Sequence, residues 1–136
     1  MTATATAYAI PTPSRDFDGF LDSLRDRRIG TVALSPKRFS EAINTDLQTL
    51  AAQAHVHRNT LSRAPGSESV QRFLREALRV IRAASDLSGD LEKALFWYRN
   101  EPLQPFGYKT AEQLVSEGRT EDLLAYLASL EAGAAG

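Results

Sequence analysis

The sequence predicts an all-α fold, and three observations carry that expectation. Helix start signals are dense, strand signals are nearly absent, and Val70 to Ala84 places apolar residues at helical spacing. The 136 residues amount to one domain, or to two very small units sharing a core. Hydrophobic residues make up 43% and charged residues 24%, a globular rather than a disordered balance. A chain of this size buries about two-thirds of its surface on folding, enough to fold without a metal or a disulfide. The absence of cysteine excludes a disulfide scaffold, thiol catalysis and a cysteine-based zinc site.

Residues 1–34 read as a partly disordered segment, with one short helix over 16–28 and Ile29 to Leu34 as the only strand candidate. Ser35-Pro36 places a capping hydroxyl before a proline suited to the first helical turn, with Lys37 to Ile43 following. Thr45-x-x-Gln48 reads as a capping box opening a helix to about Ala54. A short helix from about His57 to Arg63 stops at Ala64-Pro65-Gly66. Ser67 opens the longest helix, to about Leu87, whose apolar positions Val70, Phe73, Leu74, Ala77, Leu78, Ile81 and Ala84 fall on one face.

Ser88-Gly89 breaks that helix, and Asp90 to Asn100 forms an aromatic-rich one in which Trp97 reads as a core anchor. Glu101 to Lys109, with Pro102, Pro105 and Gly107, reads as an extended loop, the element most free to make specific contacts. Thr110-x-x-Gln113 is a second capping box, and Gly118 is placed as a C-terminal cap. Thr120 caps a last helix that carries Leu123, Leu124, Leu127 and Leu130 and ends near Glu131. Ala132 to Gly136 then reads as a tail.

The net charge of −1 conceals an asymmetry. Residues 1–34 balance four arginines against four aspartates, residues 35–82 hold eight basic against four acidic residues (+4), and residues 83–136 hold four against nine (−5). A basic middle beside an acidic end points to two partners of opposite charge, nucleic acid being a candidate for one. Arg72, Arg75, Arg79 and Arg82 line one helix face, which reads as a solvated face before it reads as a DNA contact.

Nothing in the chain calls for catalysis or a cofactor. Asp16-x-Asp18-Gly19 starts like a calcium loop, but positions 6 and 12 of that loop fall on Leu21 and Arg27 instead of Gly and Glu. His55 and His57 are the only histidines, so no zinc ligand set can be completed. There is no glycine-rich phosphate loop and no nucleophile elbow. No apolar run approaches the roughly 20 residues that cross a bilayer. Met1 to Ala9 has neither a basic region nor an apolar core, so no signal peptide is expected and the cytoplasm is the expected compartment.

The informative segment is Leu47 to Arg63. Leu47, Leu50, Ala51 and Ala54 give one apolar stripe, Val56 sits in the turn, and Leu61 belongs to the next stripe. This spacing matches a helix-turn-helix of the phage-repressor type, with an ordinary pair of packed helices as the alternative. The turn position that usually carries glycine is His55, and histidine is among the few other residues enriched at positive φ. His57, Arg58, Asn59, Thr60 and Arg63 are then the candidate DNA-contacting residues. The N-terminal end of the second helix enters the major groove, where Arg reads guanine and Asn reads adenine.

Residues 90–136 carry Trp97, Asn100-Glu101-Pro102, Gly107, Lys109-Thr110-Ala111, the pair Leu114-Val115 and Gly118. Together these resemble the toxin-binding domain of the Xre/MbcA/ParS antitoxin family, and Val56 to Leu61 resembles that family's recognition-helix segment. The likeness spans about residues 35–133, with Ala111 standing where the family usually has proline. It implies a helix-turn-helix bundle of the Xre/Cro type with dimerisation over residues 35–87, followed by a small helical toxin-binding unit over 88–136. It further implies an antitoxin that dimerises, masks a RES-family toxin that depletes NAD, and represses its own operon. Tyr108, Lys109, Leu127, Leu130, Gly133, Ala134, Ala135 and Gly136 are then the expected toxin-binding residues, with Gly133 to Gly136 plugging the toxin's active site. The alternative for those last residues is a frayed terminus, and the alternative for the chain is a stand-alone helix-turn-helix repressor.

Overall fold

Short helices end where their backbone runs out of partners, and here five helix starts are closed by a side-chain cap. The computed structural model describes residues 16–135 and contains, among them, eight α-helices. These are α1 Phe17–Leu24, α2 Pro36–Ala42, α3 Leu47–Ala54, α4 Arg58–Arg63, α5 Glu68–Ser88, α6 Leu91–Asn100, α7 Ala111–Ser116 and α8 Thr120–Ala135. Asp16, Ser35, Asp46, Asp90 and Thr110 cap α1, α2, α3, α6 and α7 through their side-chain oxygens. The all-α expectation therefore holds.

Ile29 to Leu34 is not a strand. Among the described residues it has no second strand to pair with, and it folds on itself, with the Ala33 N–H on the Gly30 carbonyl and the Asp26 N–H on the Ala33 carbonyl. Only Leu34 makes an isolated bridge, to Arg25. Its edge is completed by a side chain: the buried Gln71 amide accepts from the Leu34 N–H at 2.9 Å and donates to its carbonyl at 2.8 Å. The same amide donates to the Pro65 carbonyl, tying the loop before α2 to the turn before α5.

α5 is the spine. Val70, Leu74, Ala77, Leu78, Val80, Ile81 and Ala84 are buried along it, and α2, α3, α6, α7 and α8 all pack against it. One hydrophobic cluster runs from Phe20 through Leu50, Leu61 and Leu74 to Leu114 and Leu127. The segments 35–87 and 88–136 thus share one core.

Two expectations for the C-terminal helices need correction. The inward stripe of α6 is Leu91, Ala94 and Tyr98, so the fully buried aromatic is Tyr98, while Trp97 lies a hundred degrees round the helix and is only partly covered. Burial pushes the Tyr98 hydroxyl's pKa up, and the neighbouring Glu112 charge adds to the shift. The last helix does not stop near Glu131 but continues through Ala135. Alanine is the strongest helix former, and its run outweighs the single Gly133. Residues 1–15 and Gly136 lie outside the described residues.

Candidate nucleic-acid interface and partner face

α2 gives way to α3 through Asn44, which is left-handed with φ 61°. The Thr45 N–H bonds back to the Ser40 carbonyl, so the helix cap falls one residue later than the expected Thr45, on Asp46. The Asp46 carboxylate accepts from the Thr49 N–H at 2.7 Å. That donor is the main cause of an Asp46 pKa below the usual carboxylate range, and the Arg58 charge contributes least. α3 buries Leu50 and Ala51 and ends at His55, at φ 60° and ψ 40°. The Val56 N–H then reaches the Ala51 carbonyl at 3.0 Å, closing the turn.

The backbone therefore adopts at His55 the left-handed conformation that the spacing required of it. His57 is extended and opens α4 by its carbonyl alone, which accepts from the Thr60 N–H at 2.9 Å. Leu61 is the one buried residue of α4. His57, Arg58, Asn59 and Arg63 are exposed, and Thr60 is half-buried. Among the described residues, no hydrogen bond or ion pair engages the side chains of Arg58, Asn59 or Arg63. The predicted contact residues thus lie together on the outward side of one short helix, anchored from beneath by Leu61.

The arginines of α5 differ. Arg75 pairs with Glu68 at 3.0 Å, and Arg79 pairs with Glu76 at 3.3 Å and with Glu121 of α8 at 2.8 Å. Arg82 lies over the Phe17 ring at 5.3 Å and beside Asp18. Only Arg72 of that row has no ion pair among the described residues.

The second expected face is built on the segment 101–109, which is more ordered than an extended loop. Leu103 is buried, its N–H donates to the Lys109 carbonyl at 2.9 Å, and its carbonyl accepts from Phe106 and Tyr108. A 3-10 turn over Gln104–Phe106 leads into two successive left-handed residues, Gly107 at φ 68° and Tyr108 at φ 66°. A bulky residue at positive φ is strained, and such strain persists only where the surroundings enforce it. The result is a Tyr108 side chain presented 65% exposed on a braced loop. Lys109 is held by Glu117, its Nζ donating to both carboxylate oxygens at 2.9 and 2.8 Å. Phe106 packs edge-on against Tyr126 of α8, and the Arg119 guanidinium covers its ring.

α7 carries the expected capping box complete, with the Thr110 N–H on Gln113 at 2.8 Å and the Gln113 N–H on Thr110 at 3.2 Å. Gly118, at φ 79°, closes it: its N–H reaches the Val115 carbonyl and the next N–H reaches Leu114. Thr120 is the first residue of α8 rather than its cap, since the Arg119 carbonyl accepts from Leu123. Leu127, expected at the partner face, is a core residue at 4% exposure, whereas Leu130 is exposed. The backbone of Gly133, Ala134 and Ala135 is helical, so these residues continue α8 instead of forming the separate tail expected after Glu131.

Sequence reasoning missed two features. The exposed Phe96 tops a cleft of about 760 Å³ between α1, α2 and α6, lined also by Phe20, Ile43 and Leu95. Arg99 and the nearly buried Glu112 form an ion pair at 3.3 Å between α6 and α7. Burial raises the Glu112 pKa, against the opposing pull of Arg99. No sequence signal foretold that these two residues meet. Among the described residues, no group of three or more potential ligands is placed to hold a metal ion, and no helix is long and apolar enough to cross a membrane. No family model matches the chain, and neither a curated protein nor a solved structure matches it significantly.

Proposed function

We propose that the chain is a DNA-binding antitoxin that reads an operator with α4 and neutralises a RES-family NAD-depleting toxin through its C-terminal helices. The observation that carries the first half is the left-handed His55 turn, which joins α3 to an α4 whose exposed Arg58, Asn59 and Arg63 have no side-chain partner among the described residues. Arg58 and Asn59, at the N-terminus of that helix, suit base edges in the major groove, and Arg63 lies at its other end. A single copy offers few unpaired cations, so a homodimer spanning two half-sites about 34–36 Å apart is the DNA-binding form.

The second half rests on the likeness of residues 90–136 to the antitoxin family's toxin-binding domain. The rigid presentation of Tyr108, together with exposed Leu130 at the end of α8, supports a protein-contact face there. Blocking of the active site then falls to the end of a helix, Gly133 to Ala135 with Gly136 beyond it. The competing reading is a stand-alone repressor that uses the C-terminal helices only as structure, and the single shared core favours it.

A mobility-shift titration with the chain's own upstream region, alone and with the neighbouring gene's product, separates the readings. The antitoxin reading expects Arg58→Ala or Asn59→Ala to weaken operator discrimination and Tyr108→Ala to weaken the protein complex. A truncation lacking residues 133–136 should still form that complex but no longer fully protect NAD. Full protection by the truncated chain overturns the plug, and tight operator binding without any protein partner at the C-terminal helices supports the repressor.

A further inference from the structure

α3 is the scaffold against which α4 is set, and both turns that flank it are conformationally costly. Asn44 before it and His55 after it are each left-handed without being glycine. Such turns persist where neighbouring groups hold them, and in both cases the C-terminal helices add side-chain bonds to the local backbone bonds that close the turn.

At the first turn, Arg99 of α6 donates from Nη1 to the Ile43 carbonyl at 3.3 Å and to the Asn44 carbonyl. At the second, the Ser116 hydroxyl donates to the Gln53 carbonyl at 2.7 Å, and the His55 Nε2 bonds the Ser116 carbonyl at 2.8 Å. Gln53 is in the last turn of α3, where carbonyls lack intrahelical partners, so Ser116 supplies one that the helix cannot. The two attachments are themselves joined. Glu112, in the first turn of α7, fixes Arg99, and Ser116 is the last residue of the same helix. The capping box and the Gly118 turn stop α7 from fraying at either end. α7 therefore lies against α3 as a splint, bonding its last turn directly through Ser116 and reaching the turn before it through Arg99 of α6, which Glu112 pairs.

We infer that Arg99 and Ser116 are positioning residues through which the C-terminal helices set the angle of the reading helix α4, although neither touches DNA. The inference rests on α4 being the DNA reader and deepens that reading. α7 also borders the expected protein-contact face, since Lys109 of the braced loop pairs with Glu117 just beyond α7. A protein bound at that face is thus one helix away from the scaffold of the DNA reader.

The test uses the full-length chain carrying Ser116→Ala, and separately Arg99→Lys, which keeps a positive charge but loses the planar guanidinium that faces Glu112 through Nε while its Nη1 reaches both carbonyls. Two readouts are taken: the ratio of operator to non-specific DNA affinity at one salt concentration, and hydrogen exchange of the Val56 and Thr60 amides relative to those of α5. The expected result is a drop in the ratio of about five- to tenfold, the scale of one lost hydrogen bond. The salt slope, which counts phosphate contacts, should be unchanged. Val56 and Thr60 should exchange faster while α5 does not. A ratio within about twofold of wild type in both variants, or unchanged exchange at Val56 and Thr60, overturns the inference. If the wild-type chain itself prefers no DNA sequence, the assignment of α4 as the reader fails. Exchange alone then decides whether the splint exists, and faster exchange confined to Val56 and Thr60 upholds it.

Discussion

The arginines of α4 and those of α5 share a basic stretch of sequence and meet opposite fates. On α4, Arg58 and Arg63 project outward from a helix that buries one residue, and no carboxylate of the described chain reaches them. On α5, the spine of the core, Arg75, Arg79 and Arg82 are engaged by Glu68, Glu76, Glu121, Asp18 and Phe17. The +4 of residues 35–82 therefore overstates the charge offered to a polyanion. A cation already paired to a carboxylate neutralises less of a phosphate's field than one held by water alone. Formal charge counts side chains, while binding depends on which of them remain unpartnered.

The comparison gives α5 a packing role and sets it against the contact role proposed for α4, and graded substitutions can break it. The largest effect belongs to the spine: Leu74→Ala, at a buried site, should cost about 2–5 kcal/mol of stability. A chemical denaturation curve close to wild type would deny α5 its central place. Next comes α4, the proposed reading helix, where Arg58→Ala or Asn59→Ala should cost about 1–3 kcal/mol of base discrimination while stability moves by less than about 0.5 kcal/mol. Operator titration beside a thermal melt checks both halves at once.

Smaller still, Arg79→Ala should lower stability by about 0.2–1 kcal/mol, as exposed ion pairs do, and leave operator discrimination untouched. If Arg79→Ala weakens operator binding as much as Arg58→Ala, the division between the two helices collapses. Arg99 offers a third fate, pairing with a nearly buried carboxylate, and its signature is a pH dependence. Because burial raises the Glu112 pKa, the folded state binds more protons than the unfolded chain above the ordinary glutamate value of about 4.3. This group's contribution to stability is therefore largest below that pH and declines as pH rises toward neutrality. Melts of wild type and Glu112→Gln across that range should show the decline only in wild type. Parallel curves would place Glu112 in water.

Much of the local structure was legible because it depends on near neighbours. Ser35 and the Thr110–Gln113 box cap their helices, and Gly118 ends α7, because capping is settled within a few residues. The same locality marked His55 as the left-handed turn residue. Errors came where two local choices compete or where distance in sequence decides. Thr45 and Asp46 both suit a cap, and the prior use of the Thr45 N–H by Ser40 gives the role to Asp46. Trp97 and Tyr98 are adjacent aromatics, and only the helical phase relative to α5 determines which is buried. Leu127 and Leu130 look equivalent until the core ends between them.

The sequence by itself determined the all-helical class, most helix boundaries and the outward set on α4, since periodicity, caps and turn residues act over one or two helical turns. Tertiary structure alone decided which arginines stay unpaired, which aromatic anchors the core, that Gln71 completes the Leu34 edge, and that Arg99, Glu112 and Ser116 converge on α3. Those outcomes depend on side chains that meet across the fold, and no pattern of neighbouring residues encodes the distance between helices that are far apart along the chain.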